Sequence, residues 1–411
     1  MLHECNVKDE FLTPVIGLCS GVWFNTFNFP KTEVGSEKLR TPVQTLENLE
    51  MKKTLVAIAA LAAFGAQAQS SVGIKGTFDP SMTNQVTTYG DGAVRSVSGL
   101  FNSQQGTSQV TFFGTEDMGN GMKANFLFEN DFNSTNDAKG NWGSSTNANI
   151  GQVSSLGGET YVGLEGRFGD IKLGAPNSPS LDVTGRTSFG TKIGSGFSGT
   201  RGLGAQGLGH VRENNQIVYT TPTFAGFTAK FATASKTTDG LAANVNTTAT
   251  AAANKQDIGL TYVNGPLKAV VANYTQTGVY KQTHGYVAYT MGNLTATYGF
   301  GSDERVAAVT AAAGTTAAAG VVGLVAGKTS NNNVNVAYAM GATTLMANVG
   351  RLNDKTTNNY DIKISTIGAK YDLSKRTSVY ARYVKQTIDN TTDALMAKDQ
   401  KTTLVGLQHN F

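Results

Sequence analysis

The chain ends on Thr402-Thr403-Leu404-Val405-Gly406-Leu407-Gln408-His409-Asn410-Phe411, a stretch whose alternating pattern recurs along the chain. At a period of two, one face carries Thr403, Val405, Leu407, His409 and Phe411, and the residues between them form a more polar face. A membrane barrel closes its last strand against its first and places aromatic side chains at the lipid boundary. The stretch therefore predicts the terminal strand of a membrane β-barrel, with Phe411 as an assembly signal.

The same alternation recurs upstream, for example in Ala124, Phe126 and Phe128, which share one face opposite Lys123 and Glu129. Turn residues that tolerate positive φ or fix their own φ separate the alternating runs. Seven short turns are predicted near residues 117–121, 168–170, 222–226, 264–266, 292–293, 341–342 and 373–376. Long polar segments are predicted near residues 84–106, 133–156, 177–212, 235–255, 303–330 and 388–400, with shorter ones near 277–281 and 353–359.

This division into short and long connections predicts an all-β fold, a transmembrane antiparallel β-barrel of about 16 strands. Long loops lie on one side of the membrane and short turns on the other, as in outer-membrane barrels. A large soluble β-sandwich would also alternate, but it would not systematically separate long from short connections. A barrel of this size leaves an aqueous channel.

A secretion signal lies inside the sequence rather than at its start. Met51-Lys52-Lys53 precedes an apolar run over residues 55–64 and an Ala66-Gln67-Ala68 cleavage pattern. We therefore expect residues 1–50 to be an upstream extension with a mis-assigned start, 51–68 a signal peptide and 69–411 the barrel. Residues 69–411 contain no cysteine, and they carry 27 Lys and Arg against 22 Asp and Glu with no basic cluster. This composition argues against disulfide stabilisation and against nucleic acid as a partner.

Several stretches together resemble the Gram-negative general porins of the betaproteobacterial type. They include the hairpin over residues 371–381, the stretch 114–124, Tyr161-Val162-Gly163-Leu164, the stretch 212–219 and the last seven residues. The resemblance implies a homotrimer of 16-stranded barrels in the cell outer membrane, surrounded by lipid, with the third long loop folded into the lumen. It also implies export through the periplasm and insertion by the barrel assembly machinery.

The chain departs from this family where basic residues are usual. It has Gln109 and Phe113 on the second strand, and Ala175 after the Leu-Gly of the fifth. The resemblance alone would imply a strong anion preference, and these departures weaken it. We expect a channel for passive diffusion of ions and small hydrophilic solutes that prefers anions weakly.

The candidate constriction combines one loop with lumen-facing wall residues. Residues 177–212 follow the fifth strand, are rich in Gly and Ser, and are expected to fold inward. Charge on the lipid side at mid-depth costs roughly 2–4 kcal/mol for Lys or Arg, so period-two parity assigns the wall charges to the lumen. The loop candidates are Asp182, Arg186, Lys192, Arg201 and Arg212. The wall candidates are Lys75, Lys123, Glu129, Lys230, Lys363 and Arg382.

Other chemistries are poorly supported by the sequence. Residues 202–207 match G-x-G-x-x-G, but no βαβ context surrounds them and no acidic residue follows at the required distance. Gly196-Phe197-Ser198-Gly199-Thr200 lacks the final glycine of a nucleophile elbow. We therefore expect no cofactor, no metal and no enzymatic activity. The alternative is an outer-membrane adhesin or structural surface barrel acting through its long loops, and an enzyme embedded in a barrel is a third hypothesis.

Overall fold

The structure is a computed structural model, and it describes residues 70–135, 158–184, 212–234, 254–306, 326–356, 359–389 and 397–411. These residues form eighteen β segments and one short helix, α1, at Pro179–Thr184. The first nine segments are β1 (Ser71–Phe78), β2 (Pro80–Tyr89), β3 (Val94–Asn102), β4 (Gln109–Gly119), β5 (Met122–Asp131), β6 (Thr160–Gly166), β7 (Gly169–Ala175), β8 (Gln216–Thr220) and β9 (Phe227–Ala234). The others are β10 (Lys255–Asn264), β11 (Leu267–Gln276), β12 (Tyr280–Met291), β13 (Leu294–Arg305), β14 (Gly327–Met340), β15 (Thr343–Asp354), β16 (Ile362–Asp372), β17 (Thr377–Ile388) and β18 (Ala397–Asn410).

The eighteen segments make a closed antiparallel barrel of sixteen strands. Consecutive segments from β4 to β18 pair antiparallel. β1 and β2 form one strand, because β18 continues from pairing with β2 to pairing with β1 in the same register. β3 and β4 form the second strand, since β3 pairs with β2 and β4 with β1. The predicted fold class is confirmed.

All seven predicted short turns join strands at one end of the barrel. In the β4–β5 turn, Asn120 and Gly121 have φ of 53° and 75°, which favour these two residue types. At the opposite end of the barrel, the predicted long loops agree less well with the structure. Most of the expected loop 84–106 is strand, because β2 runs to Tyr89 and β3 restarts at Val94. Ladder hydrogen bonds hold this segment in the wall even though many of its side chains are polar.

The two faces of the wall differ as the alternation predicts. Cross-strand partners share a face, and the outward face carries exposed apolar side chains such as Leu345, Val349 and Ile367. The inward face carries buried polar groups, among them Asn335 and Asn348, whose amides are hydrogen-bonded at 2.5 Å. An apolar outside around a polar inside is the pattern of a barrel that spans a bilayer. Within the described residues, none of the helical structure has the length and hydropathy needed to cross a membrane.

The terminal strand closes the barrel as its sequence predicts. Val405, Leu407 and Phe411 are exposed on the outward face, whereas Leu404 is buried. Phe411 and Gly76 exchange two backbone hydrogen bonds, each 3.1 Å long. The Phe411 ring lies over Gly76, where any Cβ would come within 2.3 Å of the ring, and 6.0 Å from the ring of Phe78.

A bulge interrupts the second strand on the inward side. Thr77 pairs with Gln109 and Pro80 with Asn102, so the short stretch 78–79 faces the longer stretch 103–108. We call residues 103–108 the inner bulge. Asp79 holds it, because the Asp79 carboxylate accepts hydrogen bonds from the backbone N–H groups of Gln105 and Gly106 at 2.6 and 2.7 Å.

Candidate pore constriction

Helix α1 lies inside the barrel, against the inward faces of β9 to β12. Ser180 donates its backbone N–H and its hydroxyl to the carboxylate of Asp257 on β10, at 2.9 and 3.0 Å. Both residues are buried. The start of the loop that was predicted to fold inward is therefore fixed to the wall by a buried, charge-assisted contact.

An apolar contact seats the helix beside this anchor. Val183 is fully buried and packs in a cluster with Val270, Ala272 and Tyr286. The wall also makes room for the first residue of the helix, because a Cβ at Gly259 would lie 2.8 Å from the Cβ of Pro179. A glycine at this position lets the helix approach the wall closely.

The charges beside α1 are paired. The Lys230 amine lies 3.3 Å from a carboxylate oxygen of Asp182. Both side chains remain partly exposed to the lumen. Mobile ions passing α1 therefore meet a close pair of opposite charges rather than a single charge.

The two ends of the loop meet at a second polar cluster. Asn177 and Arg212 form an antiparallel bridge, and the Arg212 guanidinium donates to the Asn177 side-chain oxygen at 2.8 Å. Glu159 accepts from the Asn177 backbone and side chain at 2.9 and 3.0 Å. The carboxylate of Glu129 lies 3.9 Å from the Arg212 guanidinium. Two of the predicted residues, Glu129 and Arg212, are thus brought together at the base of the loop.

A third polar cluster forms around Glu213, the residue that follows Arg212. The Lys255 amine donates to the carboxylate of Glu213, which also accepts from the Tyr274 hydroxyl at 2.8 Å. Neither this cluster nor the contact between Ser180 and Asp257 is predicted from the sequence. Period-two parity could have placed Lys255, Asp257 and Tyr274 on the inward face. It does not show which loop residues these side chains contact.

The remaining wall candidates differ in their surroundings. Lys75 faces the lumen as the cross-strand partner of Thr111, and its amine lies 5.5 Å from the centre of the Phe113 ring. Among the described residues, no carboxylate forms an ion pair with Lys75. Lys123 also faces inward, next to the short β4–β5 turn. Three loop candidates, Arg186, Lys192 and Arg201, lie outside the described residues.

The prediction that Lys363 faces the lumen is wrong. Its cross-strand partner is Arg351, and both alternate with buried inward residues, so Lys363 points outward. Its amine lies 2.6 Å from a carboxylate oxygen of Asp389, just beyond the end of β17. Period-two parity misplaces Lys363 because this residue lies at the loop end of its strand, where the outward face is no longer apolar.

Arg382 faces inward but is covered. Its guanidinium donates to the Gln104 carbonyl at 2.9 Å, and only 3% of the residue is exposed. The Tyr380 hydroxyl donates to Asp79 at 2.6 Å, and Gln105 reaches Gln408 on β18 at 2.9 Å. The inner bulge therefore lies across the inward faces of β17 and β18 and separates Arg382 from the open lumen.

Two of the unusual residues on the second strand have identifiable contacts. Gln109 donates its side-chain amide to Glu129 at 2.6 Å. Phe113 lies beneath the Lys75 amine. At each of these positions, a neutral side chain lies next to a charged lumen residue: Gln109 next to Glu129, and Phe113 next to Lys75.

Comparison with known proteins agrees with this architecture. The family model for Gram-negative porins matches residues 54–391. Outer membrane porin protein 32 of Delftia acidovorans is 32% identical over 397 residues, covering 88% of this chain and all of that protein. An outer membrane porin of Bordetella pertussis is 28% identical over 405 residues, with coverage of 88% and 100%. The solved anion-selective porin from Comamonas acidovorans has a TM-score of 0.64 at 23% identity and covers 84% of this chain and all of that one.

Proposed function

The chain belongs to the Gram-negative porin family, and we propose that the charges around α1 and its loop give its pore a weak preference for anions. As an outer-membrane porin it forms a water-filled channel for the passive diffusion of ions and small hydrophilic solutes. In our proposal, passage involves no chemical step. The observation that carries the proposal is α1 itself, which lies in the lumen with its carboxylate already paired.

Charge pairing supports a weak rather than a strong preference. Three lumen carboxylates each have a basic partner within 4 Å, in the pairs Asp182–Lys230, Glu129–Arg212 and Glu213–Lys255. Paired charges produce a field that falls off quickly with distance. Lys75 adds a positive charge that these carboxylates do not neutralise, and we propose that Arg186, Lys192 and Arg201 add more from the loop.

Local charges matter more here than the net charge of the chain. Coulomb energies rise as the effective dielectric constant falls, from about 1 kcal/mol for two unit charges 4 Å apart in bulk water to about 4 kcal/mol at an effective value of 20. The effective dielectric constant of a narrow lumen lies between these two values. Rings of side chains set the selectivity of such pores. The anion selectivity of the Comamonas acidovorans porin, which has a similar fold, is consistent with the proposed preference for anions.

Replacing Arg186 and Arg201 together by Gln is expected to move the reversal potential in a salt gradient toward cation selectivity. The reason is the loss of two positive charges from the constriction loop. Planar-bilayer recording of the purified protein measures the reversal potential. Raising the salt concentration should shrink the difference between variant and wild type, because salt screens the loop charges. Asp182→Asn is the matched control, because releasing Lys230 should move the potential in the opposite direction. A wild-type channel with strong cation selectivity would contradict the proposal.

We further propose that the mature chain comprises residues 69–411 and assembles as a homotrimer. The cleavage pattern at Ala66-Gln67-Ala68 and the start of β1 at Ser71 support the first part. Family membership supports the second. Native mass spectrometry of protein extracted from outer membranes is expected to give three copies of a 343-residue chain. Recovery of residues 1–50 would overturn the processing proposal, and a purely monomeric mass would overturn the trimer.

A further inference from the structure

A row of apolar side chains crosses the inward face of the wall on β4, β5 and β6. Phe113, Leu127 and Tyr161 are cross-strand partners in this row, and each is partly exposed. Phe112 and Val162, their neighbours in sequence, are exposed on the outward face, so the period-two alternation turns the row toward the lumen. Neighbouring strands lie about 4.8 Å apart, so the row is roughly 10 Å long. The water-filled lumen therefore has a strip of apolar surface on one side.

A glycine bounds the row at each end. Gly73 on β1 pairs with Phe113, and a Cβ at Gly73 would come within 2.5 Å of the tip of the Phe113 ring. Gly174 on β7 pairs with Tyr161 at the other end. Because Gly73 has no side chain, the Phe113 ring lies along the wall instead of standing out from it. The row is thus a shallow surface, with no further side chain of the same row closing either end.

Two lysine amines lie over the rings of this row. The Lys75 amine is 5.5 Å from the centre of the Phe113 ring, and the Lys172 amine is 4.4 Å from the centre of the Tyr161 ring. Asp170 lies 3.3 Å from the Lys172 amine. Among the described residues, no carboxylate forms an ion pair with Lys75, whose side chain is exposed. The apolar row therefore lies beside one cation that has no carboxylate of its own.

Carboxylates on the loop side of the row already have hydrogen-bond donors. Glu129 lies two residues beyond Leu127 on the inward face of β5 and accepts from Gln109 at 2.6 Å. Glu159 accepts from the backbone and side chain of Asn177 at 2.9 and 3.0 Å. Such hydrogen bonds stabilise the charge of a carboxylate where it is. An anion that enters beside the row thus finds its free counter-charge at the exposed lysine.

We propose that this row binds carboxylates that carry an aromatic ring, and that the channel therefore favours them over hydrophilic anions of the same charge. The carboxylate pairs with the Lys75 amine, and the ring covers Phe113 and Leu127. Aromatic pairs attract each other in offset-stacked and edge-to-face arrangements, and the Phe113 ring that lies along the wall can take part in either. The proposal rests on the passage of anions proposed above and adds a basis for choosing among them.

Two separate interactions explain why the ligand combines a ring with a charge. An ion pair with an exposed amine contributes little on its own in water, because solvent and salt screen it. Contact with an apolar surface favours any ring that leaves water, whatever its charge. A solute with both groups gains from both interactions, whereas acetate lacks the first contact surface and a neutral aromatic amide lacks the charge.

Block of the chloride current through the purified full chain in planar bilayers tests this proposal. The probes are benzoate, acetate and benzamide at constant ionic strength. Benzoate should halve the chloride current at about one tenth of the acetate concentration, since the ring contact removes on the order of 60 Å² of apolar surface from water. Benzamide carries the ring without the charge, and it should block about fivefold more weakly than benzoate.

Substitutions separate the ring contact from the charge contact. Phe113→Thr with Tyr161→Thr should reduce block by benzoate to the level of acetate and leave block by acetate unchanged. Lys75→Gln should make benzoate and benzamide equally weak. The matched control is Lys123→Gln, which removes the same charge from an exposed, inward-facing lysine near the short β4–β5 turn. This control should keep the wild-type ratio between benzoate and acetate.

Three results would overturn the proposal. Equal block of the wild type by benzoate and acetate would show that the row does not recognise the ring. Equal block of the wild type by benzoate and benzamide would show that the charge is not recognised. A conducting Phe113/Tyr161 variant that keeps the wild-type ratio would place the ring contact elsewhere. The first two results need no variant, so a variant that fails to fold leaves the test complete.

The same recordings distinguish this proposal from the anion preference on which it rests. Strong cation selectivity of the wild type, read from the reversal potential, would contradict the anion preference. The ratio between benzoate and acetate compares two anions of equal charge, so the sign of the overall selectivity cancels from it. Loss of that ratio alone would contradict only the ring-binding row.

Discussion

Deleting Phe411 is expected to lower the amount of folded protein in the outer membrane several-fold and to leave unfolded chain in the periplasm. The deletion removes both backbone hydrogen bonds to Gly76 and the ring contact with Phe78. Two hydrogen bonds and one aromatic pair together contribute roughly 2–4 kcal/mol to closure of the barrel. Fractionation of cells followed by quantitative immunoblotting of heated and unheated samples measures both populations.

A second aromatic residue provides the control for the Phe411 deletion. Phe224 is 82% exposed in the turn between β8 and β9, away from the closing strands. Phe224→Ala should assemble at the wild-type level, because its ring takes no part in closure. Conduction by the few Phe411-deleted barrels that do insert should also be normal, since Phe411 faces outward. Normal accumulation of the deleted form would show that the last strand closes without its terminal residue.

Replacing Asp79 by Ala is expected to destabilise the barrel by at least about 3 kcal/mol and to strengthen its anion preference. Asp79 is fully buried and accepts hydrogen bonds from Gln105, Gly106 and Tyr380. Each donor left without an acceptor costs about 1–3 kcal/mol. Release of the inner bulge also uncovers Arg382, whose positive charge then faces the permeating ions. The midpoint of unfolding in guanidinium chloride and the reversal potential measure the two effects.

Two further substitutions separate these causes. Asp79→Asn keeps one side-chain acceptor and should show a smaller loss of stability. Asp91→Ala removes a carboxylate that accepts from Ala93 in an exposed turn, and it should change neither property. Combining Asp79→Ala with Arg382→Gln should cancel the change in selectivity while leaving the loss of stability. A gain in anion preference that persists in the double variant would show that another charge is responsible.

The sequence predicted the wall better than the lumen. Alternation in β18 and the turn residues at Asn120 and Gly121 follow local rules, so faces and short turns were predicted correctly. The segment 84–106 was misassigned because its polar residues lie in strand, held by pairing with β18 and β3. Parity placed Lys363 inside because it assumes an apolar outward face along the whole strand. Contacts such as Ser180 with Asp257, or Arg382 with the inner bulge, join distant residues that no local pattern connects.

The way α1 is held has a consequence for how the channel responds to its surroundings. Val183 is buried in an apolar cluster, and the Ser180–Asp257 contact is buried as well. Dissolved ions therefore screen the contacts that hold α1 only weakly. The Asp182–Lys230 pair, in contrast, is partly exposed to the lumen, so dissolved ions can screen it. A change in ionic strength should thus leave α1 in its place while it changes the strength of the field that the Asp182–Lys230 pair exerts on passing ions. The channel should therefore sort charged solutes differently in dilute and in saline water, without any movement of this helix.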